Sequence, residues 1–296
     1  MKPLSYAQNL EDYHLSLLFP GKRDGFYIDV GGGHVVADNV SYYFYELGWR
    51  GIVVEPQEML AQAYRTVRPR DVLVQALAGR AAGEMEFFEA KQYHGLSTTI
   101  ASHAETAAIQ GVETVRKTLP VTTLGALSGT HAPKEIDFLK IDVEGAEAEV
   151  LAGNDWTRYR PKVVVLEAIV PFSMADASAS FEPQLLAAGY QFAYFDNLNR
   201  FYVANESADL IERFPKTPSP WDCVRHLGEY LGAHKDVTHP DHALAKSIDP
   251  KLYSRLNNMS AVELAGILPD GIDPRNAATR AALARIASLF DGGYVV

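Results

Sequence analysis

The stretch "YQFAYFDNLNRFYVAN", Tyr190 to Asn205, decides the fold. It holds two runs rich in aromatic and β-branched residues, "YQFAYF" and "RFYVAN", with only "DNLN" (Asp196 to Asn199) between them. A crossover to a parallel strand needs a dozen or more residues, so a gap this short joins only an antiparallel hairpin. Toward the N-terminus the pattern changes. "IDFLKIDVEG" (Ile136 to Gly145) and "PKVVVLEA" (Pro161 to Ala168) are short buried-strand runs, each followed by a helical pattern: "AEAEVLAG", capped by Gly153, and "FEPQLLAAGY", ending at Gly189. Strands that alternate with helices make a parallel sheet covered on both faces.

The alternation extends further upstream. "FYIDV" (Phe26 to Val30) leads through a helix in "NVSYYFYELGW" to "GIVVEP" (Gly51 to Pro56). The helix "QEMLAQAYRTV" then leads to a third strand, "DVLVQALAG" (Asp71 to Gly79). Leu10 to Phe19 reads as a short helix stopped by "PG", and "EMEFFEA" (Glu84 to Ala90) as an added strand. Lys91 to Pro120 has no clear period and reads as a long loop, of the kind that is either disordered or functional. The expected architecture is an α/β, Rossmann-like sheet over residues 1–206, mostly parallel with a terminal antiparallel hairpin strand. Residues 207–296 form a helical C-terminal appendage that packs on the core or makes a dimer contact.

Thirty-seven acids against 27 bases give a net charge of −10, which argues against a surface built to neutralise phosphate backbone. The basic segment "RTVRPR" (Arg65 to Arg70) reads as a solvated helix end. Cys223 is the only cysteine, so no intrachain disulfide forms. The N-terminus lacks an apolar core of signal-peptide length, and no apolar run approaches a membrane span, so a cytoplasmic location is expected.

Chemistry gathers where strands end. "DVGGGHVV" opens a helix with glycines, but a nicotinamide fingerprint starting at Gly31 would have Val36 where its last glycine belongs. Glu55 ends the next strand, where an acid can accept both ribose hydroxyls of a nucleoside; the bland alternative is a solvated strand-end acid. Asp142, Glu144 and Glu147 follow the "FLKI" strand at the sheet edge where open α/β folds bind ligands, although Glu147 also suits a helix's first turn. His94, in "YHGLSTT", titrates near neutral pH if unperturbed, and Ser97 and Thr98 beside it could bind a polyol or cap a helix. Asp196, Asn199 and Arg200 could line the acceptor side or simply make the turn.

Six segments in order, "SYAQNLEDYHL", "GFYIDVGGG", "FYELGWRGIVVEP", "DFLKIDVEGAEAEVL", "RPKVVVLEA" and "NRFYVAN", resemble the FkbM family of S-adenosylmethionine-dependent methyltransferases over about residues 4 to 205. The resemblance implies a class I methyltransferase fold, whose sheet carries this terminal hairpin. It also implies S-adenosyl-L-methionine as cofactor and O-methylation of a hydroxyl on a sugar, glycan or glycosylated metabolite. Position by position, Asp29, Gly31 and Gly33 would lie against the methionine and ribose, Glu55 would hold the ribose hydroxyls, and Ala76 would face the adenine. Gln8 and Asp12 would close over the cofactor. Members often have "GAN" where this chain has "GGGH", which leaves His34 without a role.

The sulfonium is an activated methyl donor, so the protein must align it and raise the reactivity of the hydroxyl with a general base or a metal. Asp142, Glu167 and His94 are the catalytic candidates, and Asp142 and Glu167 could share a divalent ion such as Mg²⁺. The rival from another class is a catalytically inactive protein that keeps the fold and acts as an interaction module. A homo-oligomer through the C-terminal helices is compatible with either reading.

Overall fold

A computed structural model describes residues 2–91, 93–170, 173, 175–216, 220–230 and 232–288. At its centre is a seven-stranded sheet in the order Tyr190–Phe195, Asn199–Ala204, Val163–Glu167, Phe138–Ile141, Phe26–Val30, Arg50–Val54 and Val72–Val74. The strands from Val163–Glu167 to Val72–Val74 run parallel to one another. Asn199–Ala204 runs antiparallel to both its neighbours, and one of them is its hairpin partner Tyr190–Phe195.

Alternation along the strands divides the core between the two faces. Tyr27, Val53, Phe138 and Val163 face one side with Phe44 and Tyr64 from the helices and Trp49 from the turn before Arg50–Val54. Ile28, Val30, Ile52, Leu139, Ile141 and Val164 face the other, against Leu124, Leu127, Val150 and Leu151. The chain proceeds outward from Phe26–Val30 through two strands, then returns to place Phe138–Ile141 on its other side. Such a reversal opens a crevice beyond the carboxyl ends of the two strands.

Two elements differ from the sequence reading. Asp71 to Gly79 is not one strand: Val72–Val74 joins the main sheet, the Ala76 amide turns back onto the Val74 carbonyl, and Leu77–Ala78 pairs instead with Val121 and Thr122. Lys91 to Pro120 is not a structureless loop either. It contains the helix Ala101–Ile109 and most of the strand Thr114–Thr122, which pairs along its length with Gly83–Ala90 in a separate three-stranded sheet. That helix buries only Ala104 and Ala107, too small a stripe to stand out as a period, and the strand is an exposed to half-buried run containing Lys, Arg and Pro, with Val121 alone fully buried.

The described C-terminal residues form short helices around Tyr253, Leu256, Leu264, Leu283 and Ile286. They are tied to the sheet domain at several points. Arg225–His226 pairs in parallel with Leu4–Ser5, Arg213 donates to the Leu18 carbonyl, and Arg285 bridges Asp241 and Glu46. Among the described residues no helix is long and apolar enough to cross a membrane.

Candidate active site

A cleft of about 280 Å³ opens at the carboxyl ends of the parallel strands. Its floor is the glycine turn, Gly31 to Gly33, with Glu55 on one side and Asp142, Glu144 and Glu167 on the other. Ala76, Leu77 and Phe87 make an apolar end, and Tyr93 to Ser97 with Thr99 form a wall. Of the residues singled out in the sequence, Gln8, Gly31, Gly33, Glu55, Ala76, His94, Asp142 and Glu167 all line this cleft.

Close backbone packing shapes the turn. Gly31 has φ +77°, and a Cβ there would lie 1.8 Å from the Asp142 carbonyl oxygen, so the residue must be glycine for two reasons at once. The Gly31 and Gly32 amides both donate to the Val54 carbonyl, at 3.0 and 3.2 Å. Gly33, at φ +58°, has its Cβ position open, with only the His94 ring near it at 3.7 Å.

Glu55 is 2% exposed, and its two carboxylate oxygens accept from the Gly33 amide at 2.9 Å and the Gln57 amide at 2.8 Å. Burial pushes its carboxyl up to about 7, against the lowering effect of those two amides. The group is thus held at a fixed point beside the turn and titrates near neutrality.

The far side carries an excess of acid. One oxygen from each of Asp142, Glu144 and Glu167 falls within a 4.8 Å group, so Glu144, read from the sequence as one of the acids of this sheet edge, joins the two metal candidates. Glu147 turns away, with its Oε1 accepting from the Val143 and Gly145 amides. Burial and then the neighbouring Asp142, Glu144 and Glu147 charges push the Glu167 carboxyl up to about 10, and burial with Asp142 also raises Glu144. Without a cation, Glu167 therefore holds its proton at neutral pH. Glu144 itself has a left-handed backbone, φ +56°, whose carbonyl accepts from the Thr98 hydroxyl at 2.9 Å and lies 3.0 Å from His103 Nδ1.

His34 and His94 stack over the turn with centroids 6.4 Å apart. Burial lowers them to about 3 and about 4, so both rings are neutral at ordinary pH. His34 Nδ1 accepts from the Val36 and Ala37 amides, which assigns its proton to Nε2. Neither ring nitrogen of His94 has a hydrogen-bond partner although both are buried.

Other candidates lie outside the cleft or are engaged in local hydrogen bonds. Asp12 is fully buried outside the cleft, where it accepts from Ser5 Oγ and the Tyr6 and Tyr13 amides and so fastens the N-terminal turn. Asp29 lies behind the turn rather than in the cleft wall, with its Oδ2 accepting from Ser41. Ser97 and Thr98 are engaged by the Ala90 amide and the Glu144 carbonyl, and Asp196 by the Leu198 and Asn199 amides. Arg200 pairs with Asp176 and Glu182.

Two supporting residues escaped the sequence reading. Arg68 is not a solvated helix end: its side chain is 0% exposed and donates to Asp71, Asn39, Tyr27 and Ser41. Asn39 and Tyr64 in turn donate to the Gly32 carbonyl, so this buried guanidinium braces the turn from below. Lys140, on the Phe138–Ile141 strand, is the second, and no spacing rule distinguishes a buried lysine in "DFLKID" from an exposed one.

Residues 24–192 match a family model described as the methyltransferase FkbM domain. No curated protein matches the chain.

Proposed function

The chain belongs to the FkbM methyltransferase family, whose domain covers more than half of it, and on that premise we propose that it is an S-adenosylmethionine-dependent O-methyltransferase acting on a hydroxyl of a sugar, glycan or glycosylated metabolite. The observation that carries the reading is the cleft itself: a glycine turn and a buried carboxylate on one wall face three carboxylates on the other. The seven-stranded sheet, with its antiparallel strand inside the hairpin edge, supports reading it as the class I form of the fold.

In this reading Glu55 accepts from the ribose hydroxyls, the turn from Gly31 to Gly33 lies against the ribose and methionine portion, and Ala76, Leu77 and Phe87 take the adenine. Gln8 closes over the same cleft. The bound cofactor supplies an electrophilic methyl group. His94 is the proposed base, because it lines the cleft with a neutral ring and no hydrogen bond at either nitrogen, whereas Glu167 enters protonated. Asp142, Glu144 and Glu167 offer hard oxygen donors close enough to hold a divalent cation such as Mg²⁺, which would lower the pKa of the acceptor hydroxyl; otherwise they hydrogen-bond a polyol directly.

The test is calorimetric titration with S-adenosylhomocysteine, in magnesium and again in excess chelator, followed by a mass-spectrometric screen of sugar acceptors. Saturable binding that is lost in Glu55→Ala while the circular dichroism spectrum is kept supports the reading. A wild-type protein that binds nothing in either buffer refutes it.

A further inference from the structure

One buried cation lining the cleft, Lys140, has no role in the reading above. Lys140 is 7% exposed and stands in register with Asp29 on the adjacent strand. Its Nζ lies 2.7 Å from the Gly31 carbonyl oxygen, 3.3 Å from Asp142 Oδ2 and 3.6 Å from Asp29 Oδ1. Burial disfavours the ammonium, but the Asp142 and Asp29 carboxylates more than offset this and keep it charged.

The three partners belong to both sides of the cleft. Gly31 lies in the turn with Asp29 buried behind it, and Asp142 stands on the acidic side. The peptide between Gly31 and Gly32 is held at both ends, its N–H by the Val54 carbonyl and its C=O by Lys140. Asp29 Oδ1 has no hydrogen bond, so Lys140 also supplies the nearest positive charge to that oxygen.

We propose that Lys140 is a positioning residue that locks the glycine turn against the acidic wall, fixing the Gly31–Gly32 peptide on one side and the Asp142 carboxylate on the other. The proposal rests on the reading of the cleft as an S-adenosylmethionine site. Without the ammonium the Gly31 carbonyl loses its Lys140 donor, and the peptide is held only at its N–H end, through the Val54 carbonyl. Movement of the released end would draw the Gly33 amide away from Glu55, the contact that sets the carboxylate beside the ribose position.

The competing role is plain charge compensation of Asp29, and a pair of variants separates the two. Lys140→Met removes the charge and the donor; Lys140→Met combined with Asp29→Asn removes the donor together with the buried carboxylate opposite it, leaving only the part-exposed Asp142 carboxylate, which faces the cleft. Positioning predicts that both bind S-adenosylhomocysteine about thirtyfold more weakly than wild type by calorimetry, with only the double variant recovering thermal stability. Hydrogen exchange followed by mass spectrometry gives a readout free of cofactor: peptides covering residues 30–34 should exchange at least about tenfold faster in both variants, with residues 163–167 unchanged.

A double variant that binds as tightly as wild type, or turn exchange unchanged in either variant, overturns the proposal. A wild-type protein that does not bind S-adenosylhomocysteine removes the cofactor reading instead, and the exchange measurement still decides whether Lys140 holds the turn.

Discussion

Replacing Glu55 by glutamine should make the ligand-free protein more stable and a poorer binder. The carboxyl is fully enclosed and sits near 7 instead of its ordinary 4.5 because burial penalises its ionised form. At 1.36 kcal/mol per pH unit, ionising it inside the fold costs about 3 kcal/mol relative to the unfolded chain. The sign follows from proton binding. Below pH 4.5 both states hold the proton and nothing is lost; between 4.5 and 7 the folded state alone keeps it, so stability falls as pH rises; above 7 the whole cost is present.

Glutamine carries no charge and avoids this, but its single carbonyl cannot accept well from both the Gly33 and Gln57 amides, which gives back about 1 kcal/mol. The net expectation is about 2 kcal/mol of added stability at pH 8, shrinking to near zero at pH 5. Urea unfolding of wild type and Glu55→Gln at both pH values measures it, and calorimetry with S-adenosylhomocysteine should show affinity down by more than about tenfold, since the ribose hydroxyls lose a charged acceptor. A variant less stable than wild type at pH 8, or one that binds the ligand unchanged, would refute the reasoning.

Gly31→Ala should cost more than about 3 kcal/mol and abolish ligand binding, because its Cβ would meet the Asp142 backbone at 1.8 Å. Gly33→Ala, with open space at that point, should lose only about 1 kcal/mol; equal effects in thermal unfolding would contradict the packing argument. Asp12→Ala leaves the Tyr6 and Tyr13 amides without their acceptor and should destabilise by about 3 kcal/mol, yet the folded fraction should bind S-adenosylhomocysteine like wild type; weakened binding at full folding would return Asp12 to the cleft. Arg285→Met strips Asp241 of a bidentate partner at 2.7 and 2.9 Å and should cost about 3–5 kcal/mol in urea unfolding, with a change under about 1 kcal/mol showing that the C-terminal helix is held otherwise.

Local chemistry was legible in the chain itself. The four-residue gap in "DNLN" forces the hairpin, the apolar runs are long enough only for buried strands, and acids placed where those runs stop, Glu55, Asp142 and Glu167, reach the same cleft because parallel strands end on the same side. What the sequence could not contain is which side chains the packing encloses. Arg68 and Lys140 look like any surface cation in "RTVRPR" and "DFLKID", and only the tertiary arrangement surrounds one with Tyr27, Asn39 and Asp71 and the other with two carboxylates and a carbonyl. For the same reason the packing turns Asp12 inward to backbone amides, and it brings Glu144, already read at this sheet edge, to Asp142 and Glu167 through a left-handed turn. Periodicity records which face of an element is apolar, whereas the Gly31 and Asp29 partners of Lys140 lie more than a hundred residues away along the chain and are fixed only when the strands come into register.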